Sequence, residues 1–192
     1  MQELKDRIVR EGKVLPGNII KVDGFLNHRV DPTIMVHIAE EFGRHFDMDQ
    51  VSVILTAEAS GIALAAICAQ RFNKPMIFAK KAKSDNIEGG LYQSDIFSYT
   101  YKKKVTLLVN KEWLNADDKV LIVDDFMANG EAMRGLCDIV TSAGATLVGI
   151  GCAVEKGFQG GGDRLRAAGM NLKSLAIIES AEPGNIVFRE DD

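Results

Sequence analysis

The chain has 192 residues, 46% of them hydrophobic and 26% charged, with a net charge of −4 at pH 7. That length suits a single domain that buries about 70% of its unfolded surface. The mild acidity supplies no long-range attraction for nucleic acid or a membrane surface, so any anion site must be local.

Residues 3–11 read as a short amphipathic helix, with Leu4 and Ile8 one turn apart and Gly12 as its stop. Residues 14–24 look extended, and Phe25, Leu26, Asn27 and His28 follow as a loop. Asp31 and Pro32 are a helix start, an N-cap acid followed by proline at the first helical position. That helix runs to about Phe46 and buries Ile34, Ile38 and Phe42. The chain then alternates: strand at 51–56, helix at 61–72, strand at 75–79. Residues 81–95 are polar, contain Gly89-Gly90 and have no period. Residues 96–101 and 104–109 alternate apolar and polar side chains, as in an antiparallel hairpin. Strand 120–123, helix 131–143 with Gly144 as its stop, strand 147–154, helix 163–168 closed by Gly169, and strand 172–178 complete the chain. Strands alternating with helices imply an α/β domain with a mostly parallel sheet. A long polar loop inside such a domain suits a lid over an active site.

Cys68, Cys137 and Cys152 are odd in number and far apart, so they form neither a disulfide framework nor a metal-ligand spacing. They read as reduced core residues of a cytoplasmic protein. No signal peptide opens the chain, and no apolar run approaches a membrane span. His28, His37 and His45 have no nucleophile or metal partner at a recognisable spacing.

The most informative stretch is 120–132. Val120, Leu121, Ile122 and Val123 form an apolar run that reads as a strand buried on both faces. Asp124 and Asp125 follow, then the small loop Ala128-Asn129-Gly130, then a helix opening at Glu131 and Ala132. Carboxylates at that place can accept from sugar hydroxyls or approach a magnesium ion. Backbone N–H groups at the loop and the helix start can hold a phosphate. Open parallel sheets bind ligands beyond the carboxyl ends of their strands, where this loop falls. A second strand-to-helix loop, Glu58-Ala59-Ser60-Gly61, offers another set of free N–H donors. Lys80, Lys81 and Lys83 stand where the next strand enters the polar segment.

This pattern resembles the ribose-phosphate fingerprint of the type I phosphoribosyltransferases. Many members carry Thr-Gly-x-Thr in the loop, whereas Asn129-Gly130-Glu131-Ala132 has neither hydroxyl. With Asn27 and the chain length, the sequence is most similar to the branch of the family that acts on xanthine. The resemblance implies the type I phosphoribosyltransferase fold over residues 1–192, a central mostly parallel sheet flanked by helices. It also implies a small N-terminal hood, about residues 1–30, and a flexible lid loop and hairpin, about residues 81–110. Phosphoribosyl diphosphate would be held by Ala128, Asn129, Gly130, Glu131 and Ala132 at its 5′-phosphate, and by Ser60, Gly61 and Lys81 at its diphosphate. Asp124 and Asp125 would serve the ribose hydroxyls. Ile20, Asn27, Lys156 and Phe158 would hold the base. Magnesium would come with the donor, with no direct protein ligand. The implied reaction is purine salvage, from xanthine to xanthosine monophosphate, in a cytoplasmic homodimer that binds neither nucleic acid nor membrane. Alternatives are a transferase for guanine, hypoxanthine or adenine, or a ligand-sensing transcription regulator on the same fold. A Rossmann dehydrogenase lacks its Gly-x-Gly-x-x-Gly loop here.

Overall fold

In the computed structural model, which describes residues 1–81, 90–98 and 103–190, helix α1 (Gln2–Glu11) opens the chain and buries Leu4 and Ile8. A short antiparallel hairpin of β1 (Lys13–Leu15) and β2 (Ile19–Lys21) leads into a π-type helical turn at Asp23–Asn27 and then α2 (Pro32–His45). The Asp31 carboxylate accepts from the Thr33 N–H at 2.9 Å and caps α2. Strand β3 (Val53–Ala57), helix α3 (Gly61–Phe72) and strand β4 (Met76–Ala79) form one parallel crossover unit. Strands β5 (Leu91–Ser98) and β6 (Lys103–Asn110) pair as a separate antiparallel hairpin. Then follow β7 (Lys119–Met127), α4 (Glu131–Ser142), β8 (Thr146–Lys156), α5 (Gly161–Ala167), β9 (Leu172–Glu182) and β10 (Asn185–Phe188).

The six-stranded sheet has the order β10-β9-β8-β7-β3-β4, parallel throughout except for β10 at its edge. Strand β7 is central and is covered on both faces. Leu121 and Val123 enter one core with α1, α2 and α3, while Val120 and Ile122 enter a second core with α4 and the β5–β6 hairpin. The period of two along a strand sends neighbours to opposite faces, and both faces are dry. This accounts for an apolar run with no polar alternation.

The hairpin is fastened at two places. The Lys80 and Leu108 backbones pair at 2.9 and 2.8 Å beside the β4 edge. Ser94 Oγ donates to Asp138 of α4 at 2.9 Å. Here the sequence reading needs correction, because Leu91 to Asp95 belong to β5 rather than to an irregular segment. Their inward positions include Ser94, a buried serine with a partner on α4, and that polar residue hides the alternation. The supposed loop at Phe25 and Asn27 is the helical turn, with Phe25 and Leu26 fully buried. The last strand runs on to Glu182 and turns back into β10, which the sequence reading omits. Of the lid expected at 81–110, residues 82–89 and 99–102, with Lys83 among them, lie outside the described residues.

Ile122 sits in the middle of β7 with no exposed surface. Ile122→Ala is expected to lower unfolding free energy by about 2–5 kcal/mol through lost burial and the cavity left behind. The check is a urea titration, in which a loss below about 1 kcal/mol would show that this face can collapse around the gap.

Candidate active site

A cavity of about 320 Å³ opens at the carboxyl ends of β3 and β7. Its walls bring together Ile20 and Asn27 from the N-terminal segment, Glu58 and Ser60 from the β3–α3 loop, Lys81, Asp124, and Ala128 to Ala132. Ile96, Phe97 and Val105 of the hairpin close one side. The volume lies in the range of small-molecule sites.

Asp124 and Asp125 end the apolar part of β7 and are both buried, at 7% and 1% exposure. They do not point alike, because consecutive strand residues face opposite sides. Asp124 lines the cavity, and its Oδ1 accepts from the Asp125 N–H at 3.0 Å. Asp125 lies beneath and accepts from Asn27 Nδ2 at 2.9 Å. Burial, and then the neighbouring Asp125 charge, push the Asp124 carboxyl well above the ordinary carboxylate range, while Lys81 pulls it the other way. Gly61 leaves the room Asp124 needs. A Cβ there would lie 2.5 Å from Asp124 Oδ1 and would also strike the buried Thr56 hydroxyl.

Two strand-to-helix loops flank the pair. In the first, Gly130 adopts φ +78° and caps α4 without a side-chain bond. Among the described residues, the N–H groups of Gly130, Glu131, Ala132 and Met133 have no acceptor, so the loop presents a cluster of free donors at a helix start. The Glu131 carboxylate accepts from Arg134 at 3.2 Å and from the Phe97 N–H at 3.5 Å. In the second loop, the Glu58–Ala59 peptide is cis, and Ser60 and Gly61 open α3. Glu58, which sequence reasoning left without a role, accepts from the Lys81 N–H at 2.6 Å and so fixes where the chain leaves β4.

On the other flank, Lys156 is half-buried, and burial draws its ammonium below the ordinary lysine value. Its Nζ donates to the Asn18 carbonyl at 3.1 Å and lies 5.5 Å from the Phe126 ring centroid. Lys156, Phe158, Gly61 and Asp125 do not themselves line this cavity, although Lys156 borders it through the Phe126 ring, and Phe158 packs against the first core. Phe126, to which the sequence reading gave no role, lines the cavity. Its place directly after the acidic pair was the available signal. Among the described residues no cluster of three or more His, Cys, Asp or Glu could hold a metal ion. Asp124 is the member of the acidic pair that presents carboxylate oxygen to the cavity.

The model of the phosphoribosyl transferase domain matches residues 32–167. The xanthine phosphoribosyltransferase of Lachnoclostridium phytofermentans is 52% identical over 193 residues, covering all of both chains. That of Bifidobacterium longum is also 52% identical, over 98% of this chain and all of its own. Among solved structures, the APRTase of Giardia lamblia complexed with 9-deazaadenine aligns with a TM-score of 0.77 at 21% identity, over 93% of this chain and 98% of that one. The adenine phosphoribosyl transferase of Trypanosoma brucei, in complex with AMP, pyrophosphate and ribose-5-phosphate, aligns with a TM-score of 0.72 at 21% identity, over 91% and 79%. At such identities these structures speak to the fold alone.

Asp124 keeps its proton to higher pH in the folded chain than in the unfolded one, where a carboxyl titrates near about 4. Between the two values the native state binds more protons, so stability falls as pH rises through that window. Asp124→Asn abolishes this titration and retains an acceptor for the Asp125 N–H. We expect the variant to gain Tm over the parent at about pH 8 and to gain less at about pH 5. Calorimetry that found no gain at either pH would show the buried carboxyl to be stabilised by something other than its proton.

Proposed function

The chain belongs to the phosphoribosyltransferase family, and on that premise we propose that it transfers the phosphoribosyl group of phosphoribosyl diphosphate to N9 of xanthine. The products are xanthosine monophosphate and diphosphate, a purine-salvage reaction. One observation carries the site reading: two strand-to-helix loops, one with free N–H donors at residues 130–133, flank a buried acidic pair that Asn27 reaches from the N-terminal segment. Two anion cradles about a polyol site match a sugar that carries phosphate at both ends. The full-length relatives named for xanthine support the choice of base. The regulator alternative has no support of this kind.

In this reading the N–H groups of residues 130–133 hold the 5′-phosphate, and Ser60, Gly61 and Lys81 receive the diphosphate. Asp124 meets the ribose hydroxyls, and Asp125 orients Asn27. Magnesium would come with the donor, near Asp124, and would supply positive charge against the diphosphate. The C1–O bond to diphosphate loosens, positive charge develops at C1, the N9–C1 bond forms, and the N9 proton is lost to solvent. The protein's contribution is positioning and electrostatics. The expected organisation is one domain over residues 1–192, with the hood near 1–30 over the base and the 81–110 segment excluding water from the donor. The protein is expected to act as a cytoplasmic homodimer. No described helix is long and apolar enough to cross a membrane.

Selectivity follows from unpaired groups. The Lys156 ammonium only donates, so it suits a carbonyl at C6 and disfavours the amino group of adenine. At C2 xanthine offers a carbonyl, guanine an amino group and hypoxanthine only hydrogen. Leaving the matching donor without a partner costs about 1–3 kcal/mol, or roughly five- to over a hundredfold. A kcat/KM panel should rank xanthine first, guanine and hypoxanthine lower, and adenine negligible. Asn27→Ala should reduce xanthine use more than hypoxanthine use. Equal losses would make Asn27 a structural residue, and an adenine preference would overturn the base assignment.

Asp125→Asn is expected to lower kcat/KM by at least about tenfold, roughly 1.4 kcal/mol, in a folded protein. The substitution replaces the acceptor that holds Asn27 Nδ2. Unchanged turnover would remove Asp125 from the machinery.

A further inference from the structure

The region facing the 5′-phosphate loop from outside the cavity holds a feature that the sequence pattern did not mark. Strand β8 ends at Lys156, the chain passes through Gln159 and Gly160, and α5 begins at Gly161. The first turn of α5 lies flat on the backbone of the loop. A Cβ at Gly161 would sit 2.5 Å from the Ala128 carbonyl oxygen, 2.6 Å from the Asn129 carbonyl carbon and 2.7 Å from the Gly130 nitrogen. No side chain fits between the two backbones. From the next turn, Arg164 reaches back with both ends of its fork. Nη2 donates to the Asn129 carbonyl at 3.0 Å, and Nη1 donates to the Gln159 carbonyl at 3.4 Å.

We propose that Arg164 is a positioning residue for the 5′-phosphate, acting by bridging the phosphate loop to the turn after the base-side strand. This rests on the assignment of residues 128–132 to that phosphate. The argument is one of peptide geometry. In a trans peptide the C=O and N–H point in opposite directions, and Asn129–Gly130 is not the cis bond of this chain. When Arg164 takes the Asn129 carbonyl toward α5, the Gly130 N–H of the same peptide is turned away from α5. Gly130 lines the cavity, and its N–H has no other acceptor among the described residues. The loop has no threonine hydroxyls to fix its shape or to supplement the N–H donors. The guanidinium supplies that constraint from outside. A planar fork reaches two carbonyls at once, which a lysine ammonium on a single stem does not reproduce. The second bond, to Gln159, links the placement of the phosphate loop to the turn that follows Lys156.

The test uses the full chain and ribose 5-phosphate as the probe, with inorganic pyrophosphate as the control ligand, in titration calorimetry. Arg164→Met, which keeps an apolar stem, should weaken ribose 5-phosphate about tenfold. Arg164→Lys should fall between, about threefold weaker, because it keeps the charge and at most one bond. Pyrophosphate affinity should stay within about twofold in both variants, and KM for the donor should rise more than kcat falls. Ribose 5-phosphate affinity equal to the parent's in Arg164→Met overturns the proposal. So does an equal loss of both ligands, which would report general damage. If Arg164→Met does not fold, Arg164→Lys decides: parental affinity would assign the effect to charge alone and overturn the bridge. A parent chain that fails to bind ribose 5-phosphate overturns the phosphate-loop assignment itself, a result separable from any variant effect.

Discussion

The constraint on which this structure turns is the burial of two adjacent carboxylates at the end of the central strand. Taking a carboxylate out of water is costly unless donors or protons replace the lost hydration. The chain answers differently for the two. Asp125 receives the Asn27 amide, which comes from the far end of the sequence. Asp124 accepts a single backbone N–H and is pushed toward its protonated form. The acid whose one donor is a neighbouring backbone N–H is the one that faces the cavity. That residue is left to be completed by whatever the cavity binds.

Everything around the pair serves to keep it there. Strand β7 is held between β3 and β8, and its apolar residues are shared by two cores, so its end cannot move without disturbing both. Arg7 braces the N-terminal turn that carries Asn27: its guanidinium pairs with Asp31 at 2.7 Å and lies 5.1 Å from the Phe25 ring centroid. On the opposite side, Glu155 is fully buried and accepts from both Arg166 nitrogens, at 3.1 and 2.7 Å, and from Ser174. A buried acid so fully bonded ties α5 to β8 and β9, and Gly162 gives it room. Asp163 on the same short helix pairs with Arg189 near the chain's other end, and Arg189 also pairs with Glu179. Helix α5 has only seven residues and little burial of its own. Its position is set mainly by ion pairs and by glycine contacts, which makes it a bracket for the loop it covers.

Much of this was legible in the sequence. The apolar run, the acidic pair, the small loop and the helix start at 120–132 are local, and each follows from rules that act within a few residues: β-propensity, double-sided burial, and free N–H groups at a helix start. The alternation of strands and helices gave the class of fold for the same reason. The loops at Ser60 and Ala128 could be paired as two anion cradles because parallel strands must release their chains at the same edge of the sheet.

What the sequence by itself determined is therefore the strand centre, the acids at its end, and the two donor loops. Only the tertiary structure decided how they meet. Asn27 and Asp125 are 98 residues apart, and nothing local announces their bond. Phe126 lines the cavity while Phe158 does not, a difference that no local pattern around Phe158 marks. Ser94 conceals a strand because its partner, Asp138, lies on another element. Arg164 and Gly161 look like ordinary members of a glycine-rich turn until α5 is laid on the phosphate loop. Local rules act through neighbours along the chain, while these contacts depend on which surfaces the closed sheet brings into touch.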